Sequence, residues 1–227
     1  MQEVSGAEKV FTDFDRFVDS GIDAAILTGL PSRRVMETTK LAVAKKHILI
    51  DKPISVTSEQ AKEIINICNK ENVKLMVGYN LHWYPSVKLL KRTLDEGKLG
   101  KPLYGYYAYD GKMMQESEWS TEPGWLADKD EITSYWFVHV DHGIEIFPWL
   151  FDAKYTEVYA DIRNLNHPQY KVADWGIGVF KMDNGASVTL KCDGITPKPF
   201  EILDIRIICE DGGIAFGLIP EAYLKIT

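Results

Sequence analysis

Two stretches of this sequence concentrate residues able to do chemistry. The first is Asp51-Lys52-Pro53, which follows directly on the apolar run His47-Ile48-Leu49-Ile50. A lysine at the end of a buried strand can donate to a substrate hydroxyl, or carry a depressed pKa if it is desolvated. The same two charges also read as a surface ion pair at a strand-to-helix turn. The second stretch is His139-Val140-Asp141-His142-Gly143-Ile144-Glu145. Asp141 and Glu145 stand at i, i+4 on one helix face, and His142 is one step round. Such a set suits proton transfer or metal ligation, and it also suits a polar helix end with hydrogen-bonded histidines. No third and fourth ligand is signposted elsewhere, so no metal is expected. His47 and His167 are isolated, and Tyr104, Tyr106, Tyr107 and Tyr109 are expected to pack or to lie at an interface.

The elements that must position these residues change character along the chain. Over the first hundred residues, helix and strand signals alternate. Asp13–Asp19 reads as a short amphipathic helix, Asp23–Thr28 as a buried strand, Pro31–Lys45 as a helix and His47–Ile50 as a second strand. Thr57 followed three residues later by Gln60 has the capping-box spacing, and Ala61, Ile64, Ile65 and Cys68 continue as a helical stripe. Val73–Val77 is a third strand and Ser86–Glu96 a further helix. This alternation predicts a parallel sheet with crossover helices, whose ligands bind beyond the carboxyl ends of the strands. Those ends are Thr28–Ser32, Asp51–Pro53 and Gly78–His82.

After Gly100 the pattern turns to strands: Leu103–Asp110, Thr156–Ile162, Gly176–Met182, Ala186–Lys191 and Ile202–Cys209. One apolar helix is expected over Phe137–Phe151 and a long loop or lid over Gly111–Ser134. Asp183-Asn184-Gly185 predicts a hairpin turn with positive φ angles at Asn-Gly. The fold class is therefore α/β: a partial Rossmann-like parallel sheet over residues 1–100, then an α+β domain with a mostly antiparallel open sheet over 101–227. The boundary is placed near Gly97–Pro102. An open sheet face must be covered, which predicts a homo-oligomer through the C-terminal sheet.

Composition excludes several classes. The net charge of −7 (26 basic against 33 acidic residues) lacks the basic footprint of a nucleic-acid binder. No apolar run is long enough to cross a bilayer and no secretory signal is visible, so no membrane partner is expected. Cys68, Cys192 and Cys209 form no CxxC pair and read as buried thiols. A reducing cytoplasm is the expected compartment.

The landmarks, taken in order, resemble the Gfo/Idh/MocA oxidoreductases, the glucose–fructose oxidoreductase and inositol dehydrogenase group. The family run "D-aV-i-tP…H…AL-aGKhVl-EKP" stands here as Ile22–Leu27, Leu30-Pro31 and Ala44–Pro53. The run "vGy..R..P…k..i..G.iG.p" is matched by Val77–Pro85 and Gly97–Pro102, "D-G-H…D…wl.G" by Asp141–Glu145 with Trp149-Leu150, and "f.nG" by Met182–Gly185. The resemblance covers about Phe11 to Gly217.

It implies NAD(P)-dependent hydride transfer at a secondary alcohol of a sugar, polyol or related small molecule. The lysine of the Glu-Lys-Pro turn, near nicotinamide and substrate in the family, maps onto Lys52. Leu30, Pro31, Ser32, Asp51, Lys52 and His82 are the expected NAD or NADP contacts. Tyr79, Asn80, Trp125 and His139 are the expected substrate contacts, and Lys52, Asp141, His142 and Glu145 the catalytic set. Glu145 occupies the position of the family's acid/base His, so His142, His139 or Glu145 itself is left to take that role. Pro148 stands where a second Asp is usual and Val35 where a His is. The family's G-x-G-x-x-G turn has no counterpart here; Gly176-Ile177-Gly178 is the nearest fragment, and Lys181 fills its third glycine position. Two readings follow: an oxidoreductase whose glycine-rich segment lies upstream of this chain, or a non-catalytic binding or assembly module that kept the sheet.

Overall fold

Three short apolar runs separated by amphipathic segments build the first sheet. The structure is a computed structural model, and it describes residues 6–111, 128–132, 134–196, 202–217 and 223–227. In the first unit, Met1–Gly78, β1 (Ala24–Leu27), β2 (His47–Ile50) and β3 (Leu75–Val77) lie parallel in that order. Helices α1 (Phe14–Val18), α2 (Arg34–Val43) and α3 (Ser58–Glu71) accompany them, and a 3-10 turn, Pro31–Arg33, leads into α2. Alternate strand residues Ala25, Leu27, Ile48 and Ile50 join Leu41, Ala42, Ile64 and Cys68 in one core. The capping box at the start of α3 is present in full: Thr57 accepts from the Gln60 amide and the Gln60 side chain accepts from the Thr57 amide.

The second unit is Tyr79–Thr227. It holds α4 (Pro85–Asp95), β4 (Pro102–Asp110), α5 (Tyr135–Phe151), β5 (Tyr155–Arg163), β6 (Trp175–Met182), β7 (Ser187–Asp193), β8 (Leu203–Cys209), β9 (Gly213–Gly217) and β10 (Tyr223–Ile226). The seven strands run in the order β10-β9-β8-β4-β7-β6-β5. Only β4 and β7 are parallel; the other neighbours are antiparallel. The two-sheet fold class read from the sequence is the one observed. The units divide at Gly78–Tyr79 rather than near Gly97–Pro102, because the apolar stripe of α4 (Val87, Leu90) belongs to the second core.

Helix α5 packs against β7, β4 and β6 through Val140, Ile146 and Phe147, which are fully buried. Gly143 permits this close approach. A Cβ there would lie 2.9 Å from the Tyr107 ring and 3.0 Å from Leu190 Cδ2. The face of α5 turned the other way carries its polar residues.

Two expectations need correction. In the β6–β7 hairpin only Gly185 takes a positive φ (88°). Asn184 does not, because its side chain is used as an acceptor for the Ala186 amide at 3.0 Å. The strands β9 and β10 were not anticipated. The Gly111–Ser134 loop expectation and Trp125 fall largely or wholly outside the described residues.

Candidate active site

Within the first unit, the strand ends are tied together by a residue the sequence left unremarked. Arg34, at the start of α2, is 2% exposed. Its guanidinium donates to the carbonyls of Asp51 and Pro53 through Nη1, and to the Gly29 carbonyl through Nη2 at 2.9 Å. One planar fork of donors thus joins the Leu30–Ser32 turn to the turn carrying Lys52. Pro31 and Pro53 are buried, while Leu30, Ser32 and Asp51 are exposed. The Asp51 carboxylate accepts from the Lys52 amide at 2.9 Å, closing the turn. At the end of β3, Gly78 packs against the neighbouring strand end, where a Cβ would lie 3.4 Å from the Ile50 carbonyl.

Within the second unit, the polar face of α5 meets the 3-10 turn Asn80–Trp83. His82 Nε2 lies 2.8 Å from both Oε1 and Oε2 of Glu145. Trp149, one helical turn beyond Glu145, packs on the His82 ring at 4.4 Å. Tyr79 meets His142 edge-on, with ring centroids 5.9 Å apart. Burial, followed by the charges of Asp141 and Glu145, pushes the Tyr79 hydroxyl well above the usual phenol range. Burial and the Glu145 charge do the same to Tyr155, whose hydroxyl lies 3.4 Å from the Gly143 carbonyl. Asp141 is 4% exposed.

The structure therefore brings Tyr79, His82, His142, Asp141 and Glu145 to one polar patch. His139 is placed differently. Its ring is stacked on Tyr109 at 4.2 Å and flanked by Tyr135 at 4.3 Å, and Tyr107 donates to its carbonyl at 2.8 Å. Asn80 is exposed at the start of its turn. Trp125 lies outside the described residues. The sequence reading missed Arg34, Trp149 and Tyr155. Trp149 had a signal, since it is i+4 from Glu145 and i+7 from His142. Among the described residues no group of three or more His, Cys, Asp and Glu side chains is arranged to hold a metal ion. No helix of the described residues is long and apolar enough to cross a membrane. Cys68, Cys192 and Cys209 are buried and none is in a disulfide.

Residues 2–79 match the oxidoreductase family, NAD-binding Rossmann fold, and residues 87–215 match the GFO/IDH/MocA C-terminal domain. The chain belongs to the Gfo/Idh/MocA oxidoreductase family. Within that family it is 26% identical over 227 residues to scyllo-inositol 2-dehydrogenase (NAD(+)) of Bacillus subtilis, covering 97% of this chain and 63% of that protein. Levoglucosan dehydrogenase of Pseudarthrobacter phenanthrenivorans is 33% identical over 82 residues, 36% of this chain and 20% of that protein. Among solved structures, levoglucosan dehydrogenase in complex with NADH and levoglucosan aligns with a TM-score of 0.86 at 20% identity, over 99% of this chain and 62% of that one. The WlbA dehydrogenase of Bordetella pertussis, in complex with NADH and UDP-GlcNAcA, gives 0.80 at 20% identity, over 95% and 61%. At these identities the likeness is one of fold. The chain spans less than two thirds of the length of the inositol dehydrogenase it matches.

Proposed function

We propose that this protein is an NAD(P)-dependent oxidoreductase of a secondary alcohol on a sugar, polyol or related small molecule. The observation that carries the reading is the His82–Glu145 pair, seated beside Tyr79, Asp141 and His142, of which Asp141, His142 and Glu145 lie on α5 inside the matched C-terminal domain. A hydride-transfer enzyme needs such a proton-exchanging group next to its alcohol. Names of relatives support a polyhydroxy substrate.

The first unit fits the ring-and-ribose end of a nicotinamide dinucleotide. Its strand ends are closed by Gly29 and Gly78 and braced by Arg34, as the crevice beyond a parallel sheet requires. Leu30, Pro31, Ser32, Asp51 and Lys52 would hold that end. No G-x-G-x-x-G run occurs in the sequence, so the pyrophosphate is not assigned to these residues. When bound, the nicotinamide supplies the hydride acceptor. Lys52 is assigned to the reacting hydroxyl, Asp141, His142 and Glu145 to its proton, and Tyr79, Asn80 and His139 to the rest of the substrate. The test is to titrate the 227-residue chain with NADH and NADPH while following nicotinamide fluorescence. Saturable binding at micromolar concentration supports the reading.

The second reading, a non-catalytic binding or assembly module, is favoured by Glu145 in place of the family His. Absence of binding to either nucleotide would favour it. In both readings a second copy of the chain covers the outer face of the seven-stranded sheet. Tyr159, Val179 and Ile208 are 75%, 43% and 48% exposed there, among ion pairs such as Lys181–Glu157 and Arg163–Asp161. A monomer at all concentrations in light scattering would contradict this. Three buried thiols outside any disulfide agree with a cytoplasmic location.

A further inference from the structure

We infer that His82 is the catalytic residue that takes the alcohol proton, and that Glu145 is its positioning partner. This rests on the oxidoreductase reading and deepens it, moving His82 from the expected cofactor contacts to the proton-transfer role.

The choice follows from the hydrogen bonding. A carboxylate only accepts, so the hydrogen shared between Glu145 and His82 sits on Nε2. The neutral imidazole then carries its lone pair on Nδ1. No hydrogen bond of Nδ1 to a described residue is seen, and the side chain is 24% exposed. Trp149 packs against the ring at 4.4 Å, tilted by 55°, and restricts its rotation. A carboxylate setting the tautomer of an imidazole whose other nitrogen exchanges the proton is the logic of catalytic triads.

Several of the competing groups are paired, stacked or held protonated. Both oxygens of Glu145 are committed to His82. Tyr79 and Tyr155 are buried beside carboxylates, which holds their hydroxyls in the protonated form. His139 is stacked between Tyr109 and Tyr135. The titratable groups facing the pair are Asp141 from α5, Tyr79 from the turn, Tyr155 from β5, and Lys91 of α4, whose ammonium lies over the Trp149 ring. Two of the positions at which the sequence leaves the family pattern, beside Val35 and Pro148, are the two halves of this pair. His82 stands where the family run has Arg, and Glu145 where it has His. The site keeps one imidazole but carries it on the turn instead of the helix.

In the oxidation direction the O–H bond breaks, its proton forms a bond to Nδ1, and its electron pair becomes the second C–O bond. The C–H hydrogen would leave as hydride, with the bonding electron pair, to the nicotinamide that a bound cofactor would supply as oxidant. The alcohol would thus be oxidised at the expense of the bound nicotinamide, and the Glu145 carboxylate would balance the charge of the imidazolium.

The test uses the full gene product with His82→Gln, His82→Ala and Glu145→Gln. His82→Gln is expected to lower kcat by about 100-fold or more with a much smaller change in KM. Added imidazole should restore turnover to His82→Ala, which a structural role would not permit. Nitrogen-15 spectra recorded while the ring is neutral should show His82 protonated on Nε2, and Glu145→Gln should lose that single tautomer. Unchanged turnover in a folded His82→Gln, or a wild-type ring protonated on Nδ1, overturns the inference and leaves the oxidoreductase reading standing. A wild-type protein that reduces neither NAD nor NADP with any polyol overturns that reading, and the inference with it.

Discussion

The guanidinium of Arg34 donates to the main-chain carbonyl of Asp51, the residue before Lys52. Through the same group Arg34 also holds the carbonyls of Pro53 and Gly29. Hydrogen bonds from a charged donor to buried carbonyls contribute about 1.5–3 kcal/mol each, and losing them strands the acceptors. Arg34→Met is therefore expected to destabilise the first unit by at least about 2 kcal/mol in urea unfolding. It should also weaken NADH binding, because both turns assigned to the cofactor lose their common brace. A variant as stable as the wild type would remove Arg34 from this role.

Lys52→Ala in the full gene product is expected to lower turnover by about 100-fold or more, the usual effect of losing a positioned proton-transfer or charged group. Unchanged turnover would take Lys52 out of the mechanism.

Gly143→Ala sets two effects of opposite sign against each other. Alanine in a helix interior is favoured over glycine by about 1 kcal/mol. Here the added Cβ would lie 2.9 Å from the buried Tyr107 ring and 3.0 Å from Leu190, and overpacking of that kind costs about 1–3 kcal/mol. Net destabilisation is expected in thermal unfolding, with reduced turnover because α5 carries Asp141, His142 and Glu145. A higher Tm would show that the helix is free to shift.

Stability in acid is expected to depend in part on Asp174. It is fully buried and accepts from the amides of Leu165, Asn166 and His167 at 2.7, 2.9 and 3.0 Å, and from His167 Nδ1 at 2.8 Å. Burial alone pushes its carboxyl up, but the amide and imidazole donors outweigh burial and hold it below the usual range. A depressed folded value means that the stabilisation is complete above the unfolded carboxylate pKa of about 3.9 and is lost as pH falls through the lower folded value. Asp174→Asn should therefore cost about 2 kcal/mol near neutrality, and its urea midpoint should vary less with pH on the acid side than that of the wild type. The neighbouring Ala173 accepts from the Tyr135 amide at 2.9 Å, so the same loop anchors the start of α5. Equal acid sensitivity in the two proteins would contradict this account.

Local signals made much of the fold legible. His47–Ile50 was readable to the residue because four apolar-rich positions end at a charged Pro turn. The capping box at Thr57 and Gln60 was readable because its partners are three residues apart. The pairing of His82 with Glu145 was not, since 63 residues separate them and only the packing of α5 on the sheet brings them together. Arg34 looked like one more charge after the Pro31 turn, and its burial depends on two strand ends meeting around it. β9 and β10 are short, and their pairing with each other and with β8 is what defines them. The motif residues therefore named the candidate side chains, while the donors that position them had to come from the three-dimensional arrangement.

The most direct measurement is turnover of the full gene product with NAD and NADP against a panel of scyllo-inositol, myo-inositol, D-xylose and levoglucosan, following the absorbance of reduced nicotinamide. The account predicts nucleotide reduction with at least one of these secondary alcohols, and its loss in His82→Gln. No reduction with any alcohol and either nucleotide would contradict it.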